Sequence, residues 1–320
     1  MHGLTGLNLS AHRIVHGGEN LTASRLLDLE VEQEIDRLKP LAPLHNAVAL
    51  HWIRATRDEL GSDSTQVAVF DTAFFAALPE VARTYAIPHA LAKKHGVRRY
   101  GFHGLAHQAT WQKWRELRPN IQYGRAISVQ LGAGCSIAAV DNGLPRDTSM
   151  GFSPLDGLMM ATRWGDIDPG LVTFLQRQEK LLPEQMDQLL NERSGLLGVS
   201  VTSADIRALL ESHDARARLA VDMYCYRARK YLGAYLVVLG GADAIIFGGG
   251  VGENMPAVRE KMLAGMEWCG IEIDFKQNRS TGGILCVSSR RSRIEVWVVP
   301  VNEAEVLARE AITVMASKGA

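Results

Sequence analysis

The sequence has no excess of either charge. It contains 35 Lys and Arg residues and 35 Asp and Glu residues, so its formal net charge is zero. A chain without net positive charge has no general attraction for nucleic acid or for an anionic membrane. We therefore expect no nucleic-acid partner and no membrane partner, and any anion site must be built locally.

Cysteines are few and widely scattered. Cys135, Cys225, Cys269 and Cys286 form no CxxC pair, which argues against a zinc site or a disulfide framework and is typical of a reducing cytoplasm. The opening residues lack a basic segment followed by an apolar one, and no apolar run approaches bilayer length. The sequence predicts a soluble cytoplasmic protein.

The most informative stretch runs from residue 127 to residue 169, in a chain of 320 residues that is long enough for two domains with a cleft. Alternating apolar residues lead into a Gly-rich bend at 131–136, and Asp141-Asn142-Gly143 is a strong tight-turn signal. We predict a β-hairpin whose loop is the size of a phosphate. Gly132 and Gly134 allow positive φ and a close approach of backbone N–H groups to an anion. Such bends are also common without a ligand.

Two residues of this stretch have competing interpretations. Cys135 is either a nucleophile or a small filler residue, and the filler is favoured. Arg163 offers a planar fork that suits phosphate or carboxylate, but this stretch by itself favours a surface ion pair between Arg163 and Asp166.

Several segments before this stretch carry polar residues at element ends. Residues 12–19 predict a short strand, 22–39 and 47–59 predict helices, and 41–46 predicts a loop. Residues 66–70 predict a strand that ends on Asp71, where ligands and metals collect in open α/β sheets. Asp71 as an N-cap is the alternative. His103 lies in a predicted loop at 99–107, either as a donor or general acid or as a local cap.

The second half predicts a helix at 171–190 with a break at Pro183, a loop at 194–203 with Ser203 or Asp205 capping the next helix, and a long core helix at 216–239. Residues 242–254 predict a buried strand, a Gly-rich turn and a helix near Met255, a pattern that favours nucleotide. A final strand at 294–300 precedes a helix at whose start Glu303 either caps or reaches a metal.

Taken in order, these segments resemble the acetate kinase family over essentially the whole chain, with propionate and butyrate kinases as close relatives. The matching stretches are HRIVHGGE, LAPLHN, VAVFDTAF, RYGFHGLAH, QLGAGCS, DTSMGFSPLDGLMMATRWGDIDP, SGLLG, FGGGVGEN and PVNEAEVLARE. The resemblance implies the α/β fold of the actin, sugar kinase and heat-shock chaperone group, with duplicated ribonuclease H-like βββαβαβα cores. It implies an incomplete first domain at 1–72 plus 306–320 and a nucleotide-binding domain at 73–305.

The resemblance also implies an activity: reversible phosphoryl transfer from ATP to acetate, giving acetyl phosphate and ADP. Mg²⁺, or Mn²⁺ in its place, is the implied cofactor, and a homodimer the implied assembly. Phosphoryl transfer needs positioning and charge neutralisation more than covalent help.

The roles implied for single residues fall into four groups. Arg13, Asp71, His103 and Arg163 would be catalytic, and Glu303 would act with Asp71 in the metal network. Arg13, Val15, Leu44 and Phe102 would bind the acyl substrate. The nucleotide would be held by Gln130, Leu131, Gly132, Gly134, Asp205, Ile206, Arg207, Gly250, Val251, Gly252 and Asn254.

Two departures from the family pattern bear on activity. No stretch of this sequence matches the family's opening Asn-x-Gly-Ser-Ser-Ser-x-Lys. The Gly loop has Gln130 and Ala133 where the family usually has His and Asn, and losing one such donor costs about 3 kcal/mol. A catalytically impaired nucleotide-binding homologue is therefore the alternative, and propionate or butyrate kinase is another.

Overall fold

The computed structural model describes residues 9–61 and 64–318. The chain divides into two compact units, one formed by residues up to Ala109 together with those from Asn302, the other by Thr110–Val301. We call them the first and second unit. The division into evolutionary domains at 1–72 plus 306–320 and 73–305 stays a prediction.

Both units contain strands and helices. The strands are β1 (Leu9–Ile14), β2 (Arg25–Leu26), β3 (Thr65–Phe70), β4 (Arg125–Leu131), β5 (Cys135–Asp141), β6 (Leu144–Thr148), β7 (Ala244–Gly248), β8 (Leu285–Cys286) and β9 (Glu295–Val298). The helices are α1 (Leu29–Arg37), α2 (Pro43–Leu60), α3 (Glu80–Arg83), α4 (His89–His95), α5 (Gly104–Leu117), α6 (Pro169–Gln178), α7 (Pro183–Glu192), α8 (Gly195–Ser200), α9 (Ile206–Glu211), α10 (Ala215–Val238), α11 (Gly249–Asn254), α12 (Pro256–Leu263), α13 (Phe275–Asn278) and α14 (Glu303–Lys318).

The first unit contains a three-stranded sheet in the order β1-β3-β2. Strand β3 pairs parallel with β1 and antiparallel with β2. Its alternate residues enter two different cores: Ala68 and Phe70 join one cluster, and Val67 and Val69 join the other. Burial on both faces explains why β3 reads as a nearly continuous apolar run rather than an alternating one.

The helices of the first unit differ from the predicted ones at their starts. Helix α1 begins after Asp28, whose side chain accepts a hydrogen bond from the Val31 N–H, so the predicted start near residue 22 is wrong and β2 occupies part of that range. Helix α2 begins at Pro43, and the predicted loop over 41–46 is mostly helix. Proline at the first helical position needs no N–H partner, and the apolar spacing alone did not reveal it.

The second unit is built on a six-stranded mixed sheet in the order β6-β5-β4-β7-β9-β8. Strands β4 and β5 form the predicted antiparallel hairpin, and β4 pairs parallel with β7 on its other side. The tight turn at Asn142 and Gly143 joins β5 to β6, with positive φ at both residues, as Asn-Gly turns require. The carboxyl ends of β4 and β7 therefore lie at the same edge of the sheet.

In the second unit the long predicted helices are confirmed, whereas two short helices lie where loops or turns were predicted. Helix α10 spans nearly the predicted 216–239, and the break between α6 and α7 lies just before Pro183. The predicted loop at 194–203 contains α8, and the glycines after β7 already form α11. Within the part of the chain that the structure describes, no helix is both long enough and apolar enough to cross a bilayer.

Candidate active site

The first unit brings Arg13, Asp71 and Glu303 together. Parallel pairing of β1 and β3 aligns Ile14 with Phe70, and the Asp71 N–H donates to the Ile14 carbonyl over 2.9 Å. The Arg13 guanidinium donates to both Asp71 oxygens, Nε to Oδ1 at 3.1 Å and Nη2 to Oδ2 at 2.6 Å. Glu303, the first residue of α14, lies 3.5 Å from Arg13 Nε through Oε2.

Asp71 is the most buried member of this cluster. Only 1% of its surface is exposed, and burial raises the pKa of its carboxyl to about 6 even though Arg13 opposes the shift. The attraction of Asp71 in turn raises the pKa of Arg13 against its own partial burial. The N-cap alternative for Asp71 is wrong, because Thr72 precedes the following 3₁₀ turn at Ala73–Ala77 and its side chain makes no capping bond.

Two carboxylates suit Mg²⁺ only with help from a substrate. Among residues 9–61 and 64–318, no cluster of three or more His, Cys, Asp or Glu side chains could hold a metal ion alone. Mg²⁺ is usually bound through one or two carboxylates, several waters and substrate phosphates. Asp71 and Glu303 fit that pattern, whereas they do not fit a closed structural metal site.

The residues predicted to line the acyl pocket also lie in the first unit. Val15 follows β1 and is half-buried, while Phe102 is almost fully buried with its ring centroid 5.7 Å from that of His16. Leu44 lies in α2, but its side chain is outside the described part of the structure. His103 is half-buried and has φ of 58°, an unusual conformation for a residue with a Cβ.

His16 is a first-unit residue that the sequence analysis assigned to no role. It is fully buried, its Nδ1 accepts the Gly18 N–H over 3.0 Å, and Nε2 has no partner among the described residues. Burial lowers the pKa of His16 to about 4, so the ring is neutral at physiological pH. No sequence signal marked it, since a histidine in a strand-to-loop turn is ordinarily read as polar surface.

In the second unit, the Gly-rich loop joins β4 to β5 as predicted. The Gly132 N–H donates to the Gly134 carbonyl over 3.0 Å, and neither glycine has positive φ. These two glycines are therefore important because they lack a side chain, and not because they adopt a left-handed conformation. Gln130, at the end of β4, is buried, with Nε2 at 3.4 Å from the hydroxyls of Thr110 and Ser128.

Cys135 closes this loop as a structural residue. Its Sγ lies 3.4 Å from the Gly132 carbonyl oxygen and 3.1 Å from the Tyr224 hydroxyl. Complete burial raises the pKa of the Cys135 thiol, which disfavours the reactive thiolate. The geometry supports the filler interpretation over the nucleophile.

A pocket of about 560 Å³ opens beside the Gly-rich loop, within the size range of small-molecule sites. It gathers three predicted groups: Gly132 of the loop, Asp205–Arg207 at the start of α9, and Gly250, Val251 and Asn254 of α11. Ala133 of the loop also lines it, and its remaining walls, which the sequence did not reveal, are Ala161, Leu196, Ala204, Tyr224 and Met255.

Four of the predicted nucleotide residues do not line this pocket: Gln130, Leu131, Gly134 and Gly252. Leu131 and Gly252 are buried and lie close to each other, since a Cβ on Gly252 would stand 3.8 Å from the Leu131 Cβ. Gly249 has φ of +76°, and a Cβ there would lie 2.6 Å from the Leu131 carbonyl oxygen. Glycine is thus required where α11 packs against β4.

Asp205 has the structural role that the sequence predicted. Its Oδ1 accepts the Arg207 N–H over 2.9 Å and so caps α9, and these contacts with Arg207 lower the pKa of the Asp205 carboxyl. The two side chains also form an exposed ion pair at 3.2 Å. Both groups lie at the rim of the pocket.

Arg163 is half-buried near Cys135 and has no acidic partner among the described residues. Burial lowers the pKa of its guanidinium, and Cys135 opposes the shift. The predicted ion pair with Asp166 is wrong, because the Asp166 carboxylate accepts from the Gly157 N–H and the Tyr231 hydroxyl instead. The turn before Arg163 touches the Gly-rich loop through the Ala161 N–H and the Ala133 carbonyl, 3.2 Å apart.

A pocket bordered by a Gly-rich loop, with an arginine two positions after its wall residue Ala161 that has no acidic partner among residues 9–61 and 64–318, points to a phosphotransferase. This enzyme class works by neutralising phosphoryl charge. Sequence comparison gives the family. The profile of the acetokinase family matches residues 3–309, and the chain belongs to that family.

Individual relatives agree with this assignment. The chain is 47% identical over 317 residues to the acetate kinase of Chloroherpeton thalassium, covering 96% of this chain and 75% of that protein. The solved acetate kinase of Porphyromonas gingivalis is similar with a TM-score of 0.91 and 42% identity, over 96% of this chain and 78% of that one. A propionate kinase of Francisella tularensis gives a TM-score of 0.90 and 33% identity, over 96% and 79%. The predicted fold class is confirmed.

Proposed function

We propose that the chain is an acetate kinase, which transfers the γ-phosphoryl group of ATP to acetate and forms acetyl phosphate and ADP in a reversible, Mg²⁺-dependent reaction. The observation that carries this proposal is the environment of the Arg163 guanidinium. A half-buried guanidinium that has no acidic partner among residues 9–61 and 64–318 has lost hydration without gaining a counter-ion there, which is unfavourable unless an anion completes the site. A transferred phosphoryl group is such an anion.

Arg13 would supply a second positive charge. Its contact with Asp71 uses one edge of the guanidinium, and the planar fork has further N–H donors for a carboxylate or phosphoryl oxygen. Asp71 would hold the guanidinium in a fixed orientation, so that no reorganisation is needed when charge develops. His103 would donate to an oxygen of the transferred group.

Asp71 and Glu303 would also hold Mg²⁺ together with phosphate oxygens. When bound, the ion would neutralise charge on the phosphates. The protein itself keeps the two carboxylates on the same side of Arg13. Its ion pairs with Asp71 at 2.6 Å and with Glu303 at 3.5 Å favour this arrangement.

The pocket of the second unit would receive the adenosine of ATP. Its walls combine apolar surface from Leu196, Val251 and Met255 with polar groups of Asp205 and Arg207 at the rim, as expected for an aromatic base and a ribose. The Gly-rich loop would lie along the phosphates, because Gly132 offers backbone without a side chain in the way.

The acyl pocket would be formed by Val15, Leu44 and Phe102 and would admit a short chain. The propionate kinase among the structural relatives makes propionate the natural competitor. A homodimer remains a prediction from the family resemblance, and a cytoplasmic location remains a prediction from the composition of the sequence.

A hydroxamate-coupled assay with ATP, Mg²⁺ and acetate, propionate or butyrate tests the proposal. We expect acyl phosphate to form only when one of these carboxylic acids is added, and we expect acetate to give the highest kcat/KM. Propionate ahead of acetate would change the substrate but keep the enzyme class. ATP binding without acyl phosphate from any of the acids would contradict the proposal and favour the impaired homologue.

A further inference from the structure

Arg163 lies on a long connection between β6 and α6. Residues 149–168 contain no helix or strand, yet Met150, Leu158 and Met160 are almost fully buried. A buried connection must have its backbone groups satisfied within the protein. The position of Arg163 therefore depends on the hydrogen bonds that hold this connection in place.

Asp166 closes it. The Asp166 N–H donates to the Gly157 carbonyl over 2.8 Å, and the Gly157 N–H donates back to the Asp166 Oδ1 over 2.9 Å. These reciprocal bonds join the two ends of residues 157–166, with Arg163 inside the loop. Gly157 has φ of +94°, and a Cβ there would lie 2.4 Å from the Ser149 carbonyl oxygen, so this end has little room to move.

The same residue attaches the loop to α10. The Tyr231 hydroxyl lies 3.0 Å from both Asp166 oxygens, and Arg227 Nη1 donates to the Asp166 carbonyl over 2.7 Å. Burial, together with the neighbouring Asp156 carboxylate, raises the pKa of the Asp166 carboxyl, and the Tyr231 hydroxyl and the Gly157 N–H oppose that shift. Helix α10 carries Tyr224, a wall of the pocket beside the Gly-rich loop, so one helix supports both the pocket and the Arg163 loop.

We infer that Asp166 is a positioning residue for Arg163: by tying residues 157–166 to each other and to α10, it holds the Arg163 guanidinium where the phosphoryl group is transferred. Asp166 does not touch Arg163 through its carboxylate and acts only through the backbone of the loop. The inference rests on the proposed function, since it takes Arg163 as the residue that contacts the phosphoryl group.

A double-mutant cycle separates positioning from general support of the fold. We expect Asp166→Ala to lower kcat with acetate by about 10- to 100-fold, the order found when a catalytic group is displaced by ~1 Å, without changing the KM for ATP. In an Arg163→Ala background, Asp166→Ala should add no further loss. A further loss of similar size in that background would assign Asp166 to the fold alone and overturn the inference.

Two further variants test the inference in case Asp166→Ala fails to fold. Tyr231→Phe removes the hydroxyl donor but keeps the ring packed on Tyr235, and it should show a smaller loss with the same dependence on Arg163. Asp168→Ala is the matched control, because Asp168 is exposed, caps α6 through the Gly170 N–H and lies outside the closed loop. It should leave turnover unchanged.

A second readout does not depend on turnover. Phenylglyoxal modifies arginine, and peptide mass spectrometry gives the rate at Arg163 relative to the exposed Arg193. We expect this ratio to be low in the unmodified chain and to rise in Asp166→Ala and Tyr231→Phe. If the chain made no acyl phosphate, the proposed function would fail while this ratio still tested the positioning; an unchanged ratio in both variants would overturn the inference.

Discussion

Replacing Asp71 with asparagine should abolish activity and yet stabilise the fold. In the folded protein burial raises the pKa of the Asp71 carboxyl from 3.8 to about 6. The ionised carboxylate is thus less stable in the folded protein than in the unfolded chain, and at 1.36 kcal/mol per pH unit the difference is ~3 kcal/mol. The attraction of Arg13 is already contained in that value.

Asparagine removes this cost but introduces a smaller one. Its amide N–H₂ faces one guanidinium N–H that now lacks an acceptor, a loss of about 1 kcal/mol. Arg13 keeps Glu303 as a counter-ion at 3.5 Å, so no isolated charge is left behind. We expect Asp71→Asn to raise the free energy of unfolding by ~2 kcal/mol at pH 8, with kcat lowered by about 100-fold or more because the fixed carboxylate is gone.

The stability gained by Asp71→Asn should change with pH in one direction only. Between pH 3.8 and about 6 the folded protein binds more protons at Asp71 than the unfolded chain does, so stability falls as pH rises through this window. The advantage of Asp71→Asn should be greatest at pH 8 and shrink as pH falls, by about half of the ~3 kcal/mol at pH 5. Urea unfolding at pH 5, 6, 7 and 8 measures it, with Asp168→Asn, which changes an exposed carboxylate outside this cluster, as control. An advantage that grows toward acid pH would refute the reasoning.

Three further predictions test other parts of the site. The depressed pKa of His16, about 4, should keep its ring neutral above pH 5 in an NMR titration, and stability from this residue should fall as pH drops from 6.5 toward 4; a ring that titrates near 6.5 would contradict its burial. Gln130→His with Ala133→Asn should raise kcat by up to about 100-fold in the hydroxamate assay if these donors limit the rate, whereas no gain would place the limit elsewhere. A Cβ on Gly250 meets nothing within 4 Å, so Gly250→Leu should fill the pocket and raise the KM for ATP by about tenfold or more with an unchanged melting temperature; Gly250→Ala is the control.

Strands β3 and β5 could be predicted because local signals and packing agree there, whereas the strand predicted at 12–19 is wrong in its bounds, since β1 spans Leu9–Ile14. The β-branched run before Asp71 and the Asn-Gly turn after β5 each specify one structure. Short helices such as α8 and α11 could not be predicted, because their glycines and serines favour loops and only packing against β4 and the neighbouring connections overrides that preference.

The partners of single side chains were the least predictable feature. Arg163 and Asp166 are three positions apart and read as an ion pair, yet Asp166 turns to Gly157 and Tyr231. Those partners lie nine and 65 positions away along the chain, so only the tertiary fold brings them together. The same holds for Tyr224, which becomes a pocket wall through the placement of α10.

The most direct test of the account compares the unmodified chain with Arg163→Ala and with Arg193→Ala, an exposed arginine of the same unit. Acetyl phosphate formation and ATP affinity are measured on the same preparations. We predict turnover in the unmodified chain and in Arg193→Ala, and a loss of about 100-fold or more in Arg163→Ala with ATP affinity retained. Equal turnover in all of them, or no acetate-dependent turnover in any, would contradict the account.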